Sequence, residues 1–289
     1  MPLSTLNATL LALLAFAGNS VLCRLALSPN GISVIDPASF SAIRLISGAL
    51  TLCLIVLWRE RRLSLAAGSW AEAVALFIYL VGFSYAYMRL DTGVGALILF
   101  GVVQLVMLLA ALRSRQGLSL GEVLGVLLAL LGLLVLLLPG AASPPAAGVL
   151  LMALAGAGWA LYTLAGRRAA TPLLATCGNF LRALGLLPLL LLMPWLAPGQ
   201  TFAVDGWGAL LAVASGSVAS ALGYAAWYRA LTGLGVTQAG VVQLSVPVLA
   251  ALGGVWLVAE PLTLRLVVCS VLVLGGIYLS LKARRRIRA

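Results

Sequence analysis

The sequence predicts an all-α membrane protein of ten transmembrane helices, arranged as two inverted five-helix repeats with both termini cytoplasmic. Three observations predict it. First, 63% of the 289 residues are hydrophobic and only 9% are charged. Soluble domains run near 25% charged, so lipid solvates most of this chain. Second, Gly101-Val102-Val103-Gln104-Leu105 returns 139 residues later as Gly240-Val241-Val242-Gln243-Leu244. Gly, Val and Leu are cheap letters here, but the chain has only five Gln. The same offset pairs Tyr85-Ala86 with Tyr224-Ala225, one of 140 pairs Gly18 with Gly158, and one of 144 pairs Gly132 with Gly276. The drift implies a short insertion late in the second half. Third, the basic residues are strung between apolar segments in a one-sided pattern.

Ten segments hold roughly 20 apolar residues each, enough to cross a hydrocarbon layer of about 30 Å. They run 4–26, 36–58, 70–88, 92–112, 119–138, 147–166, 172–193, 207–228, 234–257 and 262–282. In lipid the backbone must satisfy its own hydrogen bonds, so these are helices. The Pro- and Ala-rich stretch Pro139 to Ala147 divides them five and five. This gives a first repeat at 1–140 and a second at 141–289 that ends in a basic cytoplasmic tail. An odd number of spans per repeat makes the second copy enter from the opposite side. Loop charges test this independently. With both termini inside, the cytoplasmic segments hold Arg59, Arg61, Arg62, Arg113, Arg115, Arg167, Arg168, Arg229, Lys282, Arg284, Arg285, Arg286 and Arg288, and the opposite side only Arg24, Arg89 and Arg265. That is the positive-inside pattern.

Taken in order, the spans differ in what they carry. The first begins without a basic n-region or a cleavage site, so it reads as a retained span; it holds Phe16, Asn19, Ser20 and Cys23 close to one helical face. The second contains Arg44. The third sets Tyr79, Phe83 and Tyr87 four residues apart, which stacks three rings in a column. Phe100 and Gln104 are one turn apart on the fourth. Gly121, Gly125, Ala129 and Gly132 form a small-residue face on the fifth, and Gly275-Gly276 match it on the tenth; such faces let backbones touch. The sixth offers Trp159 and Tyr162, the seventh Arg182 and Pro188, and the eighth Tyr224, Trp227 and Tyr228. The ninth supplies Gln238, Gln243 and Pro247, where a kink beside an amide makes Pro247 the gating candidate.

Deep amides are costly in lipid unless partnered or wet. The candidate substrate-binding set is therefore Phe16, Asn19, Ser20, Tyr79, Phe83, Phe100, Gln104, Trp159, Tyr162, Tyr224 and Gln243. Such a lining suits a small solute with an aromatic or apolar part and a few hydrogen-bonding groups. Tyr and Trp also gather at membrane interfaces, the plainer reading of Trp58, Trp70, Trp195 and Trp207, and one that extends to Tyr87, Trp227 and Tyr228. An intramembrane charge is a functional hypothesis by default, yet Arg44 and Arg182 can also bind backbone carbonyls at helix breaks.

Other classes lose support. There is no His, and the seven carboxylates sit in loops or near span ends, which argues against an embedded enzyme and against proton coupling. The four Cys lack metal-ligand spacing, and no phosphate-binding loop exists, so no cofactor is expected. The expected partners are a small-molecule substrate and the lipid bilayer, not nucleic acid. One chain already holds both repeats, so a monomer suffices; the small-residue faces also offer a surface for a homodimer.

Leu244-Ser245-Val246-Pro247-Val248, followed by Ala259-Glu260-Pro261-Leu262-Thr263, resembles the Pro-then-Glu signature of the EamA-type drug/metabolite transporter superfamily. Two five-helix repeats with cytoplasmic termini match it over the whole chain. Within that superfamily the chain is most similar to the bacterial YddG-type aromatic amino acid exporters. The first copy lacks the Pro-Glu pattern. The resemblance implies a secondary exporter in a bacterial inner membrane, carrying amino acids by alternating access through a central cavity lined by spans 1, 3, 4, 6, 8 and 9. It places the second and seventh helices outside that cavity. A drug or other small-metabolite exporter of the same fold is the alternative, and an embedded enzyme or channel the remote one.

Overall fold

The computed structural model describes residues 3–28, 33–61, 64, 67–113, 120–138, 143–166, 169–192, 201–234 and 242–287. Among these residues every regular element is helical: α1 (Leu3–Leu27), α2 (Pro37–Glu60), α3 (Trp70–Tyr87), α4 (Thr92–Arg113), α5 (Leu120–Leu137), α6 (Ala146–Gly166), α7 (Pro172–Leu184), α8 (Gly206–Leu231), α9 (Ser245–Leu257) and α10 (Leu264–Ile287). Six of them, α1, α2, α3, α5, α6 and α8, are long and apolar enough to cross a membrane; shorter apolar helices cover Thr92–Met107, Ser245–Leu257 and Leu264–Ser280.

Local chemistry explains the starts. Asp36 caps α2 by accepting from the Ala38 and Ser39 amides at 2.9 Å each, with Pro37 just inside. Ser69 caps α3 through the Glu72 amide, and Asp205 caps α8 through the Gly208 amide. Each cap satisfies an amide that the first helical turn leaves without a partner. Two ends differ from the hydropathy reading. The seventh span is not one continuous helix: α7 stops at Leu184 and the chain tightens into a 3-10 turn over Leu187–Leu192. Pro188, which has no amide to donate, lies in that turn. On the ninth, the chain turns at Leu244 and α9 starts at Ser245. Pro247 thus occupies the first helical turn, where a missing amide costs little. The break falls ahead of the proline instead of at a kink. Gln238, Gly240, Val241 and Trp195 lie outside the described residues.

The lipid-facing sides are leucine-rich. On α5, Leu124, Leu127, Leu131 and Leu134 are exposed, whereas Gly125, Ala129, Gly132 and Leu136 are buried on the opposite face. That buried face meets α10. A Cβ on Gly125 would stand 2.5 Å from the Gly276 carbonyl oxygen, and one on Gly276 the same distance from the Gly125 oxygen. The small-residue faces of α5 and α10 are therefore spent on each other inside one chain. Elsewhere α6 packs on α3 and α4, α1 packs on α8 and α9, α2 on α7 and α8, and α4 on α9. Cys53 and Cys177 bring their thiols to 3.6 Å across the α2–α7 contact as free cysteines.

Candidate functional site

Helices α1, α3, α4, α6 and α8 converge on a cage of aromatic rings. Trp159 is its hub: its ring centroid lies 5.0 Å from Tyr79, 5.0 Å from Tyr224, 5.8 Å from Tyr162 and 5.9 Å from Phe16. The column on α3 continues the contact, with Tyr79–Phe83 at 5.5 Å and Phe83–Tyr87 at 4.7 Å. Tilted and edge-on pairs of this kind are favoured by the ring quadrupole. Phe16, Asn19, Ser20, Tyr79, Phe83, Phe100, Trp159 and Tyr224, together with Leu99 and Ala219, surround a cavity of about 10 Å³, the room of about one water. In this conformation the cage is shut around almost nothing.

Eight of the eleven candidate residues thus meet at one place. The other three do not line it. Tyr162 stands one ring behind Trp159, Gln104 is half-buried on α4, and Gln243 is buried just before α9. Tyr87 and Trp227, which interface statistics draw to the membrane surface, are buried, with their rings against Phe83 and Phe16 of the cage. Trp58, Trp70 and Trp207 are exposed.

A chain of polar side chains runs through the rings. Ser215 Oγ donates to Asn19 Oδ1 at 2.6 Å, and Asn19 Nδ2 donates to the Tyr79 hydroxyl at 3.3 Å. Arg44 Nη2 donates to the same hydroxyl at 3.1 Å, and Arg44 Nε donates to Ser220 Oγ at 3.2 Å. Arg44 is fully buried, and its guanidinium lies 5.4 Å from the Tyr79 ring centroid and 5.0 Å from that of Phe83. The sequence reading leaves α2 outside the cavity, but this arginine reaches from α2 to the cavity wall. A charge at that depth costs at least about 3 kcal/mol. Two ring faces and two hydroxyls offset that cost, but none of them is a counter-charge. Arg182, by contrast, donates to the Ala67 and Gly178 carbonyls and ties α7 to the stretch before α3. Among the described residues, Arg44 Nη1, Tyr162 Oη, Tyr224 Oη and Trp227 Nε1 are buried polar atoms without a hydrogen-bond partner. Of these, the Tyr224 hydroxyl belongs to a residue that lines the cavity, and Arg44 Nη1 lies just behind the Tyr79 and Phe83 walls.

Ser215 and Ser220 belong to an unusual stretch. Over Ser215–Leu222, α8 widens into a π-helix, a form frequent at functional sites. The only hint in the sequence is the small, hydroxyl-rich run Ser215-Gly216-Ser217-Val218-Ala219-Ser220. Gly216 lets this stretch lie against α2, since a Cβ there would collide with the Arg44 carbonyl and Ser47 Oγ. Gly216→Val is expected to lower the thermal unfolding midpoint of the purified protein, in line with an overpacking cost of about 1–3 kcal/mol. An unchanged midpoint would show that the α2–α8 contact yields freely.

One end of the cage is tied by charge. Arg24, in the last turn of α1, donates through Nε to Glu260 Oε1 at 2.9 Å, through Nη2 to Asp91 Oδ1 at 3.2 Å and through Nη1 to the Tyr87 carbonyl at 2.9 Å. Glu260 also accepts from the Thr92 amide at 2.8 Å, an anion placed at the start of α4 as the helix dipole favours. The chain reaches Glu260 through Ala259 at φ 59°, with the Glu260 amide bonded back to the Gly254 carbonyl. The Ala-Glu-Pro segment therefore clasps α9, α1 and α4 together. The sequence reading leaves Glu260 as a loop residue and misses that role.

Comparison with known proteins agrees with this architecture. Residues 146–282 match the model of the EamA-like transporter family. An uncharacterized protein of Pseudomonas aeruginosa is 54% identical over 280 residues, 97% of this chain and 95% of that one. An uncharacterized transporter of Archaeoglobus fulgidus is 28% identical over 261 residues, 86% of this chain and 90% of that one. A solved crystal structure of a protein 22% identical in sequence shares the fold, with a TM-score of 0.67 over 98% of both chains. Residues 146–282 therefore carry an EamA-like transporter domain, within a multi-pass membrane protein of apolar helices.

Proposed function

We propose that the protein exports small solutes with an aromatic or bulky apolar part, aromatic amino acids foremost, across a bacterial inner membrane. The observation that carries this reading is the ring cage, to which helices from both halves of the chain contribute. Its flat, polarisable walls fit an indole or phenyl group, and Asn19, Ser20 and the Tyr224 hydroxyl among its lining offer hydrogen bonds to the polar end. Reciprocal packing supports two inverted repeats: α6 on α3 and α4 answers α1 on α8 and α9, while α5–α10 and α4–α9 answer themselves. Loop charges support cytoplasmic termini. A cage with room for about one water cannot hold an amino acid unless it opens. With one end clasped by Arg24, opening from the other end and then exchanging the two fits alternating access. Among the described residues no carboxylate lines the cavity, which favours movement down the solute gradient without proton coupling.

The test is uptake of labelled tryptophan, phenylalanine, threonine and a cationic dye into proteoliposomes, with and without a pH gradient. Uptake of the two aromatic amino acids without the gradient is expected. Movement of the dye alone would transfer the protein to drug export, and strict need for the gradient would overturn the uncoupled reading.

A further inference from the structure

The guanidinium of Arg44 stands beside the cage with no carboxylate bonded to it. Among the described residues, the nearby acids are engaged elsewhere: Asp36 caps α2, Glu72 accepts from Asn179, and Asp91 and Glu260 hold Arg24. Nε and Nη2 meet only neutral hydroxyls, and Nη1 meets nothing. The two rings stacked on the guanidinium, Tyr79 and Phe83, are themselves cavity walls, and so is Asn19, which shares the Tyr79 hydroxyl. Any enlargement of the cavity that shifts those rings uncovers a planar cation with donors to spare.

We infer that Arg44 is the anion anchor of the transport site, and that the solutes carried bear a carboxylate. The inference rests on the proposed transport through this cavity and adds the polar half of the solute to it. A carboxylate presents two oxygens in the plane of the guanidinium fork and takes two parallel hydrogen bonds from it. Nη1 and the neighbouring Nη2 or Nε, freed from a neutral hydroxyl, supply them. The buried charge that the protein leaves without a counter-ion then gains one from the solute. The same charge repels amines and other cations, so the site selects against the decarboxylated form of each solute it accepts.

The test is a competition series against labelled tryptophan in proteoliposomes: indole-3-propionate has the carboxylate without the amine, and tryptamine has the amine without the carboxylate. Leucine and 3-methylbutylamine repeat the contrast without an aromatic ring. Indole-3-propionate is expected to compete within about tenfold of tryptophan, and tryptamine at least a hundredfold more weakly. Arg44→Gln is expected to erase that difference, and Arg44→Lys to retain part of it. Tryptamine competing as well as tryptophan in the unaltered protein would overturn the anchor while leaving the aromatic reading intact. If tryptophan is not transported, the series is read with labelled leucine; a carboxylate preference there would sink the aromatic reading and keep the anchor. The wild-type series decides even if the Arg44 variants do not fold.

Discussion

Trp159→Ala is expected to abolish transport of aromatic solutes and to destabilise the protein by about 3–5 kcal/mol, the usual loss for removing a large buried ring. The size follows from its position. Trp159 touches Phe16, Tyr79, Tyr162 and Tyr224, so one truncation unpacks rings on α1, α3, α6 and α8 together. In lipid there is no hydrophobic drive to close the gap between helices, and contact is what holds them. Trp159→Phe keeps a ring at the hub and is expected to retain most of the stability. The two effects separate if unfolding in detergent is measured beside flux. A Trp159→Ala protein that melts like the parent and still carries tryptophan would remove the cage from the mechanism.

Glu260→Gln is expected to loosen the end of the cage beside Arg24. The glutamine keeps an acceptor for the Thr92 amide but loses the charge that holds Arg24, whose remaining carboxylate, Asp91, is about half exposed. Arg24 and Glu260 have side chains only 11% and 9% exposed, so the pair is shielded from salt and its loss counts for more than a surface pair. Cys23, fully buried one residue before Arg24, reports the change. With the other three cysteines replaced by alanine, its labelling by a membrane-impermeant maleimide should quicken on the order of tenfold, the factor for about 1.4 kcal/mol of lost closure. Arg24→Gln should do the same. Unchanged labelling in both variants would mean that packing, and not charge, closes this end.

Much of this was legible in the sequence, for physical reasons that also mark where reading stops. Hydropathy places the helices because lipid leaves the backbone no alternative, and the four-residue spacing of Tyr79, Phe83 and Tyr87 places three rings in one column. Gln104 and Gln243 share one five-residue motif, but a shared motif says nothing of which face of a helix looks inward, and neither lines the cage. Tyr87 and Trp227 look like interface anchors from composition, and only tertiary packing shows them buried. Arg44 illustrates a different limit: its backbone lies on α2, while its charge sits a side chain's length away between rings of α3 and a serine of α8. The π-helical stretch at Ser215–Leu222 lies against α2, and hydropathy has no symbol for a widened helical turn.

The glycine contact between α5 and α10 bears on how such a molecule could move. Where backbone meets backbone, no side chain lies between to change rotamer and absorb a displacement. The two helices are locked like two cut stones, and each belongs to a different half of the chain. Outside their own contact the two helices pack mainly on α4, so the pair is expected to travel as one rigid piece whatever the helices around the ring cage do.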